Sequence, residues 1–326
     1  MNESIKQQIL DAIVSHERII LSRHKRPDGD AIGSTKGLAG ILRASFPGKE
    51  ILVINEDSSE ALAFLGAEDA QLSDAGYADA LVIICDCAGV GRISNSKFSL
   101  GQTIVKIDHH IDISPFGDIS WVEDWRSSTC EMIVDFYRSF SERLTLPPDA
   151  ARCLYTGMVT DSGRFKFAEV TGETLRNAAL LLEKGIDTQR IYANLELKDM
   201  DYHKFQAYAL KKMKITENGV VHLHISLKTQ EKFGLNHEAA SSCVQFLSTV
   251  RGGLIWAAFI DVPDGSTRVR LRSRFLPINQ IAEHYHGGGH AMASGATVYS
   301  REERKALLRE CDLALKNYKE EHEDWL

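Results

Sequence analysis

The sequence predicts an α/β protein: a mostly parallel N-terminal sheet with helices on both faces, then a smaller α/β unit. Three observations carry this. Strand-like and helix-like segments alternate through the first half, the order that builds a parallel sheet. Residues 80–85 (Ala-Leu-Val-Ile-Ile-Cys) form an unbroken apolar run, the pattern of a strand covered on both faces. Beyond residue 219 the pattern changes to strands flanking Pro263-Asp264-Gly265-Ser266, a hairpin signal. The 326 residues, 44% hydrophobic and 25% charged, suffice for two cores. The expected divisions are 1–190, a connecting helix and linker over 191–218, and 219–326.

Taken in order, the chain opens on an amphipathic helix with Ile5, Ile9, Leu10 and Ile13 on one face. Residues 18–22 form a strand that delivers His24, and 33–45 a helix with Leu38, Ile41 and Leu42 apolar. Residues 51–55, 80–85 and 103–107 read as strands. Asp86 stands at the end of the second of these, and Asp108-His109-His110 at the end of the third. Residues 131–140 and 149–159 are helical; Pro147-Pro148 sets off the latter and Asp161 closes it. A helix over 174–184 ends at Gly185, and the charged stretch 192–214 reads as the connection. In the second half, 220–227 is a strand with His222 and His224 on a solvated face, and 239–250 a helix. Residues 254–261 and 267–275 form the hairpin, and a charged helix runs from 301 to about 321.

Composition narrows the function. The N-terminal residues show neither a basic nor an apolar targeting region, and no apolar run nears the ~18 residues of a membrane span. A cytoplasmic protein without membrane partners is expected. The six cysteines are scattered without zinc spacing and read as reduced, small apolar side chains. The net charge of −7 disfavours binding long double-stranded nucleic acid through a broad positive surface. It leaves room for a small anionic substrate held by a few arginines and by cations.

The chemistry concentrates at predicted strand ends, where open α/β sheets bind ligands. His24, Asp28, Asp30, Asp86, His109 and Asp161 are candidate metal ligands. Each alone has an ordinary reading as a turn, cap or loop residue. Together they supply what two divalent ions ~3.5–4 Å apart require, a bridging carboxylate and separate ligands on each side. Asp86 is the natural bridge, with His24 and Asp28 for one ion and Asp30, His109 and Asp161 for the other. Gly29 is expected to let the loop turn tightly so that both aspartates point inward. Oxygen and nitrogen donors without thiolate suit manganese first, with magnesium or cobalt as alternatives. Asp108 is placed to orient a neighbouring histidine. Ser127-Ser128-Thr129 precedes a helix and reads as its cap.

In the second half, Arg268, Arg270, Arg272 and Arg274 alternate and share one strand face, about 6.8 Å apart at ~3.4 Å per residue. That is comparable to the phosphate repeat of an oligonucleotide. Gly287, Gly288 and Gly289 bring backbone close to a ligand and offer N–H groups to an anion, with His290 facing the substrate. His284, His286 and His290 lack companion carboxylates or thiols at zinc spacing, apart from Glu283.

His24-x-x-Pro-Asp-Gly-Asp-Ala-Ile-Gly-Ser34, Asp86, Asp108-His109-His110 and Thr160-Asp161-Ser-Gly-Arg-Phe165 resemble, in order, the four motifs of the DHH phosphoesterase superfamily. Gly287-Gly288-Gly289-His290-Ala-Met-Ala-Ser294-Gly295 resembles the signature of the DHHA1 domain. The resemblance is nearest to the NrnA-type branch, which degrades very short RNA and dephosphorylates 3′-phosphoadenosine 5′-phosphate. It implies a metal-dependent hydrolase whose active site lies in the interdomain cleft. It implies His110 as a contact to the scissile phosphate, and Arg272-Ser273 as substrate contacts. One departure is His286, where the motif commonly carries a glycine.

The expected substrates are short oligoribonucleotides and 3′-phosphoadenosine 5′-phosphate, with a homodimer among the assemblies open to the chain. A phosphodiesterase acting on cyclic or linear dinucleotides is the nearest alternative. The glycine-rich motif argues against a pyrophosphatase, and the missing OB-like domain against a long-DNA exonuclease. A nucleotide sensor without turnover would have no need of six metal ligands.

Overall fold

The computed structural model describes residues 2–112 and 114–322 and divides the chain into two compact units, Met1–Leu197 and Lys198–Leu326. The last four residues of the expected 219–326 domain lie outside the described residues.

The first unit runs α1 (Glu3–Ser15), β1 (Arg18–Ser22), α2 (Gly29–Ser45), β2 (Glu50–Val53), β3 (Ala80–Cys85), β4 (Thr103–Asp108), β5 (Ile119–Val122), α3 (Thr129–Ser139), α4 (Pro148–Asp161), α5 (Gly172–Leu182) and α6 (Thr188–Glu196). Its five strands are all parallel, in the order β2-β1-β3-β4-β5. Every residue of β3 is buried, as its apolar run requires. Ile19, Leu21, Leu81, Ile83, Val105 and Ile107 meet the apolar faces of the long helices. The alternate residues Ile20, Val82 and Ile84 meet Tyr77, Ile93 and Phe98, from loops and one-turn 3₁₀ helices.

Helix α2 starts at Gly29, not at residue 33, because the Asp28 side chain accepts the Asp30 and Ala31 N–H groups and caps it there. Gly29 therefore makes no tight turn. It is glycine because α4 lies against it: an added Cβ would fall 2.2 Å from Thr160 Oγ1. A Cβ on Gly33 would meet the Cys153 carbonyl oxygen at 2.6 Å, and one on Gly37 would meet Leu154 at 2.4 Å. The two helices thus run antiparallel in close contact. That packing carries Asp161, the last residue of α4, to the first turn of α2.

The stretch expected to connect the units is two helices. α6 belongs to the first, and α7 (Met200–Lys212) opens the second with Asp199 as its cap. Then follow β6 (Lys214–Ile215), β7 (Val220–Ile225), α8 (Leu227–Lys232), α9 (His237–Ser241), β8 (Ile255–Asp261), β9 (Thr267–Ser273), α10 (Asn279–His284), β10 (Gly288–His290), β11 (Ala293–Val298) and α11 (Arg301–Glu321). Residues 239–250 are mostly a 3₁₀ segment, Ser242–Thr249. There Ser242, Ser248 and Thr249 return their hydroxyls to carbonyls three residues back, which competes with regular α-helix. The mixed sheet is ordered β10-β11-β9-β8-β7-β6. α10 and α11 cover one face. Among the described residues, the other is covered over β7 and β8 by α7, α9, the 3₁₀ segment, and Phe233 and Leu235 next to α8.

Replacing Gly33 by Ala tests the α2–α4 contact. Helix propensity favours Ala by about 1 kcal/mol, but the new methyl would strike a backbone carbonyl. A net loss of roughly 1–3 kcal/mol is expected for such overpacking. Chemical denaturation measures it, and a stabilised variant would refute the close contact.

Candidate metal centre

Asp28 and Asp30 open α2. Asp30 is fully buried, and its oxygens accept the Thr129 N–H at 2.7 Å and the Cys130 N–H at 2.8 Å. These are the first amides of α3, which have no partner within their own helix. The Ser128 hydroxyl caps that helix at Glu131 N, as the Ser-Ser-Thr run suggested.

His24 follows β1. Its Nδ1 lies 2.8 Å from the Lys25 carbonyl oxygen. A carbonyl only accepts, so Nδ1 carries the proton and Nε2 is left as a donor atom for metal. Nε2 stands 3.4 Å from Asp86 Oδ2 and 3.7 Å from Asp28 Oδ2. His109 repeats the arrangement. Its Nδ1 is held by the Arg126 carbonyl at 3.1 Å. Its Nε2 lies 3.2 Å from Asp161, 3.5 Å from Asp86 Oδ1 and 3.9 Å from Asp30.

Asp86 is therefore shared, one oxygen towards His24 and the other towards His109. It sits at φ +55°, a conformation that costs a non-glycine residue free energy. The donor atoms fall into two sets, His24–Asp28–Asp86 and Asp30–His109–Asp161, each within 4.8 Å. The structure thus gathers all six residues singled out from the sequence.

A third set, Asp86–His109–His110, also lies within 4.8 Å. In it, however, His110 Nδ1 is only 2.8 Å from Asp108 Oδ1, which holds that nitrogen. Asp108 is fully buried beside the equally buried Lys106, 3.4 Å away. Burial would raise the Asp108 pKa, but the His110 hydrogen bond and the Lys106 charge outweigh it and lower it.

These donors fit a hard or borderline divalent cation. Thiols near them do not compete, since burial pushes Cys85 and Cys130 far up and keeps them protonated. The metal-free site is tense. Burial opposes a charge on His24, yet Asp28 and Asp86 push it up to about 10. Burial likewise opposes a charge on His109, but Asp86, Asp30 and Asp161 raise it to about 9. Burial and the Asp86 charge raise Asp30 to about 7, and burial and the Asp30 charge raise Asp161 to about 9. Asp28 falls to about 2: burial opposes its charge, but the His24 hydrogen bond prevails. A cation held by these donors would compete with their protons.

In the second unit, Arg268, Arg270 and Arg272 project from β9 on the part of the sheet that no helix of that unit covers. Arg274 lies beyond the strand end; its guanidinium rests over the Trp256 ring, 5.6 Å from the centroid. Ser273, expected on the substrate side, faces the opposite way. Strand side chains alternate, and its buried hydroxyl accepts the Leu276 N–H. The glycine-rich segment is a strand pair, β10 with β11. A Cβ on Gly287 would fall 2.0 Å from the Gly295 carbonyl oxygen, and one on Gly289 2.8 Å from that of Ala293. Those two glycines are explained by packing. Only Gly288 has open space before it. His290 is exposed on the same strand. His286 adopts φ +56°, the conformation that makes glycine common there, with its ring 5.2 Å from that of Tyr299.

Sequence reasoning missed the Arg126 carbonyl and the Thr129 and Cys130 amides. Backbone groups carry no residue-type signal, and only the cap motif pointed to that loop.

Ligation requires deprotonated donors, so divalent metal should displace protons. Manganese affinity is expected to fall as pH drops from about 9 towards 6, because protons then compete more strongly for His24, His109 and Asp161. Calorimetry in buffers of different ionisation heat measures the release. Binding without proton release would exclude these ligands.

A family model described as the DHH family, N-terminal domain, matches residues 18–158, and one described as the DHHA1 domain matches residues 218–317. The chain is 36% identical to the bifunctional oligoribonuclease and PAP phosphatase NrnA of Bacillus subtilis (strain 168), over 96% of this chain and 100% of that protein. It is also 36% identical to a probable protein of that name from Streptococcus mutans, over 94% and 98%. The crystal structure of an exopolyphosphatase-related protein from Bacteroides fragilis superposes with a TM-score of 0.86 and 25% identity over 97% of each chain. With the ligand geometry and these similarities in agreement, the chain belongs to the DHH family, in the branch that carries a DHHA1 domain.

Proposed function

We propose that this chain is a metal-dependent phosphoesterase. It hydrolyses very short oligoribonucleotides to mononucleotides and removes the 3′-phosphate of 3′-phosphoadenosine 5′-phosphate to give AMP. The observation that carries this reading is Asp86, a single carboxylate with one oxygen towards each of two His–Asp sets. It occurs in a chain similar over nearly its whole length to relatives named oligoribonuclease and PAP phosphatase.

His24 and Asp28 would hold one divalent ion, Asp30, His109 and Asp161 the second, and Asp86 would serve both. Manganese is the proposed metal. When bound, the two ions supply Lewis-acid stabilisation of phosphoryl oxygens and lower the pKa of water. The protein contributes preorganised partners. Asp108 accepts a hydrogen bond from His110 Nδ1 and so orients the ring, and an Nε2–H on that ring would donate to a non-bridging phosphate oxygen as charge develops. Arg272, with Arg268 and Arg270 beside it, binds substrate phosphate. Gly288 admits a ligand close to the backbone, and His290 contacts it. Among the described residues no helix is long and apolar enough to cross a membrane.

The deciding assay incubates the protein with manganese and follows AMP release from a diadenylate, from 3′-phosphoadenosine 5′-phosphate and from a cyclic dinucleotide. Turnover of the first two is expected. Turnover of the cyclic compound alone would make the protein a cyclic-dinucleotide phosphodiesterase, and none with manganese, magnesium or cobalt would leave a nucleotide-binding module. Asp86→Asn should abolish turnover with the fold intact by circular dichroism. Arg272→Ala removes a charge-assisted hydrogen bond and should raise KM for the dinucleotide roughly ten- to hundred-fold. It should leave a small chromogenic phosphoester nearly unaffected; equal effects on both would remove Arg272 from the substrate site.

A further inference from the structure

We propose that two arginines, the buried Arg23 and the half-buried Arg126, are positioning residues that each hold one half of the metal centre. Arg23 serves the His24–Asp28 half and Arg126 the Asp30–His109 half. The inference rests on the metal assignment made above.

Arg23 is completely buried, a costly place for a guanidinium unless its geometry is used. Its Nη1 donates to the His24 carbonyl oxygen at 3.1 Å and to Asp57 Oδ1 at 2.9 Å. Its Nη2 donates to the Asp57 carbonyl at 2.6 Å and to Glu68 at 3.0 Å. The other Asp57 oxygen accepts the Arg26 N–H at 2.5 Å, with Arg26 held at φ +57°. The short segment that presents His24 and leads into Asp28 is therefore fixed at two backbone points by one Arg–Asp pair.

Arg126 does the same work through a different backbone atom. Its guanidinium donates to Glu123 at 2.6 Å, Glu131 at 3.1 Å and Asp135 at 3.0 Å. Its own carbonyl receives the His109 Nδ1 proton at 3.1 Å. The loop it anchors continues to the amides that hold Asp30. Glu131 braces that loop further by accepting from Ser127 N and Oγ, at 3.2 and 2.7 Å.

The two networks have no member in common. Asp57 and Glu68 follow β2, while Glu123, Glu131 and Asp135 belong to the β5–α3 region. Lysine would keep each charge but lose the planar fork that reaches several acceptors at once. Each Arg→Lys change should therefore loosen its own half and spare the other.

The test counts bound manganese by electron paramagnetic resonance in the full-length protein. Asp161→Asn leaves the first half intact, and Asp28→Asn the second. Arg23→Lys should weaken manganese binding about 10–100-fold in the Asp161→Asn background, the usual effect of losing a partner that orients a metal ligand. It should shift binding by no more than about twofold in the Asp28→Asn background, because the Arg23 guanidinium bonds none of the residues of the second set. Arg126→Lys should give the mirror result. A general loss of stability would move both backgrounds together. If either lysine variant fails to fold, Asp57→Ala and Asp135→Asn make the same comparison. Equal weakening in both backgrounds, or loss of all manganese in either, overturns the inference. Wild-type protein binding fewer than two ions overturns the metal assignment instead.

Discussion

The close antiparallel seating of α2 on α4 is the constraint on which the centre depends. Gly29, Gly33 and Gly37 line the α2 side of that contact, and each faces an α4 atom that leaves no room for a methyl group. Glycine in a helix interior is less favourable than alanine by about 1 kcal/mol. The chain tolerates this repeatedly along one helix, which points to distance as the thing gained. With the helices this near, the last residue of α4 stands beside the first turn of α2. Asp161 then reaches His109 at 3.2 Å, within the set that also contains Asp30.

Placing four aspartates together, two of them (Asp30 and Asp86) buried, creates a second problem, and the backbone answers much of it. Asp28 caps α2, and Asp30 accepts the leading amides of α3. Both carboxylates thus sit where helix N-termini present unpaired N–H groups and a partial positive charge. His24 and His109 face these carboxylates, which draw the pKa of each histidine upwards. The unfavourable φ values at Arg26 and Asp86 lie on the segments that deliver these ligands, where strain is commonly held in place by surrounding structure.

The second unit is built on an uneven covering of its sheet. One face is packed throughout, but the other loses its helices beyond β8, and the alternating arginines of β9 emerge there. Side-chain alternation therefore yields apolar Val269 and Leu271 on the core side and a cationic row on the open side. The neighbouring glycine-rich strand is shaped by contact with β11 at Gly287 and Gly289, which leaves Gly288 as the position with room for another molecule.

Much of this was legible in the sequence. Period and composition mark β1, β3, β4, the hairpin and the terminal helix, because burial on one or both faces writes itself into every residue of a regular element. The candidate donor set was legible as well, since metal chemistry restricts donors to a few residue types, and His24, Asp86 and His109 stand just beyond strands. Other features depended on partners distant in the chain. Whether α2 begins at 29 or 33 turned on a side-chain cap, and the need for Gly29 on Thr160, far along the sequence. Ser273 took its place from strand parity, and residues 239–250 became 3₁₀ through local hydroxyl bonds. The sequence by itself determined which atoms could bind metal. Only the tertiary structure decided how they divide around Asp86 and which backbone atoms aim them. Residue identity specifies chemistry, whereas carbonyl and amide groups are the same in every residue and acquire a role only from where the fold puts them.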